Sequence, residues 1–274
     1  MTPNVPEYHG RPIYGYDAST VQHFYTFRQA ESVAKFFLHY LKSGTTLLDC
    51  GCGPGTITLD LAELVAPAKV VGIDIEPGMV DQAKVLAEER KINNIEFRVA
   101  DILKLPFADD SFDRVFTSAV LEHLSEPSQA LEELCRVVKP TGLVGVTSTD
   151  WGDPLISPTD ESVSRFFELF ERGFNRYGGS LNRGRHVRGL MRNAGLEVFE
   201  FAAQYANAAD PGSVTALTEG FIGWMENLPL FQQAIELGWV DEQELVDIIG
   251  GMRKWAQHPD AFISIGRTEA LARK

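Results

Sequence analysis

From Thr45 to Thr149 short apolar runs alternate with stretches of helical period, and that alternation leaves few folds open to the chain. The segments "TTLLDC", "AKVVGIDI", "NIEFRVAD", "FDRVFTS" and "GLVGVTST" read as strands. Ile57 to Leu64, Pro77 to Arg90 and Glu126 to Val138 read as the helices between them, with Pro127 in a favourable first turn. Strands that are apolar almost throughout imply a parallel sheet covered on both faces.

The expected fold is therefore α/β, a doubly wound, Rossmann-like sheet of seven strands, mostly parallel with the last antiparallel, and a helical cap insertion. Residues 1–44 are read as an N-terminal lid and helix, opened by a Ser19-x-x-Gln22 capping box and carrying Val33, Phe37 and Leu41 on one face. Residues 45–150 form the ligand-binding core. Residues 151–204 supply a loop from Trp151 to Asp160, a helix marked by Val163, Phe166, Phe167 and Phe170, and a sixth strand, "GLEVFEFAAQY". Residues 205–258 are read as the helical cap, and 259–274 as the final strand. The whole is one domain, expected as a monomer or homodimer.

The stretch "LLDCGCGPG", Leu47 to Gly55, is the strand–turn–helix junction where such sheets bind nucleotides. Gly51 and Gly53 match a dinucleotide fingerprint, but its third glycine position holds Thr56. Asp49 would repel a pyrophosphate, which disfavours a hydride-transferring dehydrogenase. A carboxylate there suits a ligand carrying an ammonium and a sulfonium, and points to S-adenosylmethionine. Asp74, at the end of the second strand, is placed to accept from both ribose hydroxyls. Asp101, at the end of the third, is placed to accept from the adenine amino group, with Ile102 against the ring. Three acids closing three successive strands are poorly explained as independent helix caps.

Composition excludes several alternatives. A net charge of −13 argues against a nucleic-acid partner, since phosphate contacts draw on clustered Lys and Arg. The densest basic stretch, "RGRHVR", reads as a solvated helix start. No apolar run reaches the roughly 18–20 residues of a membrane span, and no signal peptide is evident, so a cytoplasmic location is expected. Cys50, Cys52 and Cys135 form neither a disulfide framework nor a paired zinc cluster, and no metal is expected.

The segments "LLDCGCGPGTIT", "VVGIDIEPGMV", "VADILKLPFADDSFDRVFTSAVLEHL" and "ALEELCRVVKPTGLV" together resemble the class I S-adenosylmethionine-dependent methyltransferases, in particular the ubiquinone/menaquinone-biosynthesis-type group. "TFRQAESVAKFFLHYLKSG", "GGSLNRGRHVRGLMRNAGLEVF" and "MRKWAQHPDAFIS" extend the likeness more weakly, and "KPTG" departs from the usual Lys-Pro-Gly-Gly. The resemblance implies S-adenosyl-L-methionine as cofactor and S-adenosyl-L-homocysteine as product. It further implies Arg28 opposite the methionine carboxylate, with Cys52, Ile75, Met79 and Ser118 completing the cofactor site. The acceptor is expected to be a small molecule offering an O, N or C nucleophile. His123 is the candidate general base, with Glu122 as its alternate, or else shapes the cofactor pocket. Tyr16, Trp151, Phe221 and Trp224 are candidate acceptor contacts, with Tyr8, Tyr14, Phe24 and Tyr25 as part of a lid. The alternative is a protein of this fold that binds the cofactor without transferring a methyl group.

Overall fold

In the computed structural model, which describes residues 28–274, β1 (Leu47–Cys50) is buried along its whole length. It pairs in parallel with β2 (Val70–Asp74) on one side and β4 (Phe112–Ser118) on the other. β2 pairs with β3 (Ile95–Val99), and β4 with β5 (Val138–Ser157), again in parallel. β7 (Phe262–Arg273) runs antiparallel to β5 and to the edge strand β6 (Glu197–Ala208). The sheet order is β3-β2-β1-β4-β5-β7-β6, the seven-stranded mixed sheet expected.

Alternate residues of the strands feed the two faces, as the pleat requires. Leu48, Cys50, Val71 and Ile73 share a core with α5 (Pro127–Val137) and α7 (Arg183–Asn193). Leu47, Val70 and Phe116 face the short helices α1 (Ala30–Val33) and α2 (Lys35–Leu38) together with α3 (Thr56–Val65). Val80, Ala83 and Ala87 of α4 (Pro77–Arg90) pack with Phe97 and Cys52.

A separate core lies under the cap helices α6 (Glu161–Arg176), α8 (Pro211–Asn227), α9 (Pro229–Glu236) and α10 (Glu242–Ala256). It joins Phe166, Phe170, Phe174, Trp224 and Phe231 to Ala208, Ile263 and Ile265 of the antiparallel strands. The helix starts are well made. Asp160 accepts from Ser162 N and Val163 N, Asp210 closes a capping box with Ser213, and Asp241 accepts from Glu244 N.

Two expectations are corrected. The single helix through Val33, Phe37 and Leu41 is two one-turn helices broken at Ala34 (φ −125°, ψ 12°), and Leu41 lies beyond them. The capping box at Ser19 and Gln22 lies outside the described residues. The stretch from Trp151 to Ser157 is strand rather than loop, because β5 continues past a register shift between Asp150 and Leu155 and pairs with Phe262 to Ser264. Gly152 and Pro154 sit in that irregularity, where a lost ladder bond is tolerated. The helical cap consists of three helices, divided at Leu228 and again at Gly238, which takes φ +66°.

Candidate active site

The turn after β1 takes its shape from Gly51, whose φ is +76° and whose added Cβ would overlap Val120 Cγ2. Gly51 N and Cys52 N both donate to Ile73 O, at 2.8 and 2.9 Å, which seats the turn on β2. Gly53 N then donates to Asp74 Oδ2 at 2.9 Å, while Asp74 Oδ1 accepts from Glu76 N at 3.0 Å. The Asp74 carboxylate thus fastens the glycine turn to the start of α4. Burial raises its pKa, and its backbone hydrogen bonds oppose the rise.

Asp49 is buried, with Oδ2 accepting from Thr58 Oγ1 at 2.6 Å. Burial pushes its carboxyl up to about 7; Thr58 and the Arg28 charge pull it down, and the Asp74 charge adds to the rise. Asp101, two residues beyond β3, accepts from Leu103 N at 2.8 Å. Arg28 Nη2 donates to Ser118 Oγ at 2.6 Å across the end of β4.

These groups meet in one cavity at the carboxyl edge of the sheet, where open α/β folds bind ligands. Its wall contains Arg28, Asp49, Gly51, Cys52, Gly53, Asp74, Ile75, Met79, Asp101, Ile102, Ser118 and His123, all of which sequence reasoning had singled out. Thr56, Ile57, Phe116, Leu103 and Tyr177 also line it, without a spacing signal that would have found them. Tyr177 caps α6 and donates to Gln233 Oε1 of α9, so it arrives from the cap. Cys50 is fully buried beneath this wall and is not part of it.

A second cavity of about 290 Å³ adjoins the first and shares Arg28, Ala119 and His123 with it. Its floor is the antiparallel sheet, through Thr149, Asn207, Ala208, Ile265 and Arg267, and its walls include Glu122, Leu217, Trp151 and Trp224. Trp151 meets Phe170, Phe221 and Trp224 edge-on, with ring centroids 5.8 to 6.2 Å apart. Of the candidate acceptor residues, Trp151 and Trp224 face this cavity. Phe221 is not on its wall: the ring stacks on Phe166 at 4.8 Å in the cap core. Tyr16, Tyr8, Tyr14, Phe24 and Tyr25 lie outside the described residues.

The two candidate proton-transfer groups sit side by side in a one-turn 3₁₀ segment, Leu121–His123. Burial and then the Arg28 charge push the His123 imidazole down to about 3, so it is neutral at physiological pH. Glu122 is buried, with Oε2 accepting from Ser148 Oγ at 2.9 Å and Oε1 from Thr149 N at 3.0 Å. Burial raises its pKa against those bonds. Among the described residues no group of His, Cys, Asp and Glu is arranged to hold a metal, and no helix is long and apolar enough to cross a membrane. The three cysteines are free.

A methyltransferase-domain family model matches residues 41–208. An uncharacterized methyltransferase of Schizosaccharomyces pombe is 35% identical over 193 residues, 68% of each chain. The "Probable methyltransferase ltbC" of Aspergillus luteorubrus is 31% identical over 297 aligned positions, covering 95% of this chain and 96% of that one. The solved YcgJ protein of Bacillus subtilis shares the fold, with a TM-score of 0.60 at 18% identity, over 88% of this chain and 97% of that one. The glycine turn with its acids at the strand ends, the sheet order, the family model and these two relatives agree, and the chain belongs to the class I S-adenosylmethionine-dependent methyltransferases.

Proposed function

We propose that this enzyme methylates an O, N or C nucleophile of a small, largely apolar molecule bound in the second cavity. The observation that carries the reading is the common wall of the two cavities, formed by Arg28, Ala119 and His123. A methyl donor on one side and an acceptor on the other would meet there. The apolar lining, with a few polar groups, is typical of small-molecule sites.

The first cavity suits S-adenosylmethionine by its own chemistry. A Cβ built on Gly53 meets nothing within 4 Å, so the backbone is bare toward the cavity. Asp49, Asp74 and Asp101 offer carboxylates to ammonium, ribose and adenine groups, and Arg28 offers a cation to a carboxylate. Ile75, Met79 and Ile102 supply apolar surface for a ring. When bound, the cofactor supplies an electrophilic methyl group; the protein's part is to orient both reactants and exclude water. His123, its imidazole pushed down to about 3, has too little proton affinity to act as the base near neutral pH and instead lines the common wall.

The test is to incubate the enzyme with methyl-labelled cofactor and cell extract and to identify the labelled product by mass spectrometry. With that acceptor in hand, Trp151→Phe and Trp224→Leu should raise its KM at least fivefold while leaving cofactor Kd within twofold. Folded variants with wild-type acceptor kinetics at both positions would overturn the assignment of the second cavity.

A further inference from the structure

We propose that Tyr177 is a positioning residue for the cofactor, one that the cap helices hold in the wall of the first cavity. The inference rests on the reading of that cavity as the S-adenosylmethionine site and concerns what keeps its wall in shape. Among the described residues that line it, every other falls in the stretch from Arg28 to Ser125. Tyr177 comes from far beyond them along the chain, at the end of α6. Its ring is half-buried against the cap core, and its hydroxyl donates to Gln233 Oε1 on α9. Gln233 lies off the cavity wall, so a residue that faces the cofactor is tied to one that does not.

Both ends of that tie are fixed. On one side, Tyr177 N donates to Phe174 O at 3.1 Å, and Ser180 N to Glu122 O at 2.8 Å, which seats the loop after α6 on the 3₁₀ segment Leu121–His123. On the other, α9 lies so close to α6 that a Cβ built on Gly173 would overlap Leu230 Cγ. Leu230, Phe231 and Ala234 are buried there and anchor the helix that carries Gln233. Arg165 of α6 closes the far end of the pair by donating from Nη2 to Trp239 O at 2.6 Å. A phenol whose hydroxyl is held meets the ligand in one rotamer. Released, it has to be ordered by the ligand, which costs about three- to tenfold in affinity. The same cap reaches the acceptor side, because Leu228, where α8 ends and α9 begins, donates from N to Trp224 O at 2.8 Å. The helices that place Trp224 in the second cavity therefore also place Tyr177 in the first.

The experiment is calorimetric titration of the enzyme with S-adenosylhomocysteine, with thermal melting to show that each variant is folded. Tyr177→Phe, which keeps the ring and removes the donor, should weaken binding about three- to tenfold. Gln233→Met, which removes the acceptor at a residue off the cavity wall, should weaken it by the same factor, and the double variant no further. Gln233→Glu keeps an accepting oxygen and should stay within about twofold of wild type. Wild-type affinity in folded Gln233→Met, losses that multiply in the double variant, or a Gln233→Glu variant as weak as Gln233→Met would overturn the inference. Asp74→Ala separates it from the reading beneath: if that variant binds S-adenosylhomocysteine as tightly as wild type, the first cavity is not the cofactor site and both fall.

Discussion

Gly53 N and Asp74 Oδ2 are joined by a 2.9 Å hydrogen bond that spans two adjacent strand ends. The acid that would hold a ribose is also the acid that shapes the glycine turn, because Asp74 Oδ1 takes Glu76 N as well. Turn geometry and the proposed ribose contact therefore meet on one carboxylate.

Asp74→Ala should weaken S-adenosylmethionine binding by roughly 1.5–3 kcal/mol, the range for hydrogen bonds to a charged acceptor. Asp74→Asn, which keeps one oxygen for Gly53 N, should fall between wild type and alanine. Calorimetry on the folded variants measures both. Wild-type affinity in Asp74→Ala would remove the residue from the cofactor site.

Asp49 sets a pH dependence of stability. Its carboxyl is raised from 3.8 to about 7 by burial, so between those values the native state binds a proton that the unfolded state has lost. Stability from this group is therefore greatest below pH 4, falls as pH rises toward 7, and stays at the lower level above it. Asp49→Asn removes the titration. The ligand-free variant should melt higher than wild type at pH 8, with the difference shrinking at pH 5, while its S-adenosylmethionine affinity drops at least tenfold. Scanning calorimetry at the two pH values, paired with binding, separates these effects. Equal melting differences at both would show that Asp49 is ionised throughout.

His123 should leave no trace in the pH profile of turnover. With the imidazole held down near 3 by burial and Arg28, kcat at saturating cofactor and acceptor should show no step between pH 5.5 and 8 that belongs to it. His123→Gln should retain at least a hundredth of wild-type kcat with the same profile shape. The disappearance of an existing acid limb in that variant would restore the histidine as base.

Cys50 and Cys52 should be dispensable for chemistry. Burial raises both thiols well above their ordinary range, and neighbouring carboxylates add to the rise, so neither is a thiolate at neutral pH. A double Cys50→Ala, Cys52→Ala variant should keep turnover within about tenfold of wild type. Abolished turnover in a folded, cofactor-binding variant would reopen a chemical role for the pair.

The parallel half of the fold was legible because its signals are local. A buried apolar run, a glycine turn and a helical period each lie within about fifteen consecutive residues, and they fix β1 to β4 with their acids. The antiparallel half depends on partners far away in sequence. Nothing in "WGDPLIS" reads as strand, yet Leu155 pairs with Ser264 across more than a hundred residues. The same register brings Arg267 beside Thr149 on one side and Gln204 on the other, which is why Arg267 and Asn207 were not singled out for the second cavity. Trp151 was singled out because it follows a strand at the ligand edge of the sheet, and Trp224 because apolar side chains crowd that part of the cap. Phe221 shared that signal and belongs instead to the stacked cap interior.

β5 is one strand with two neighbourhoods: beside β4 from Phe112 to Ser118 at its beginning, beside the start of β7 at its end. The family model's match ends at Ala208, the last residue of β6 and a wall residue of the second cavity, before α8 begins. The acids and glycines of the first cavity thus lie inside the stretch that the family model covers, and Leu217 and Trp224 beyond it.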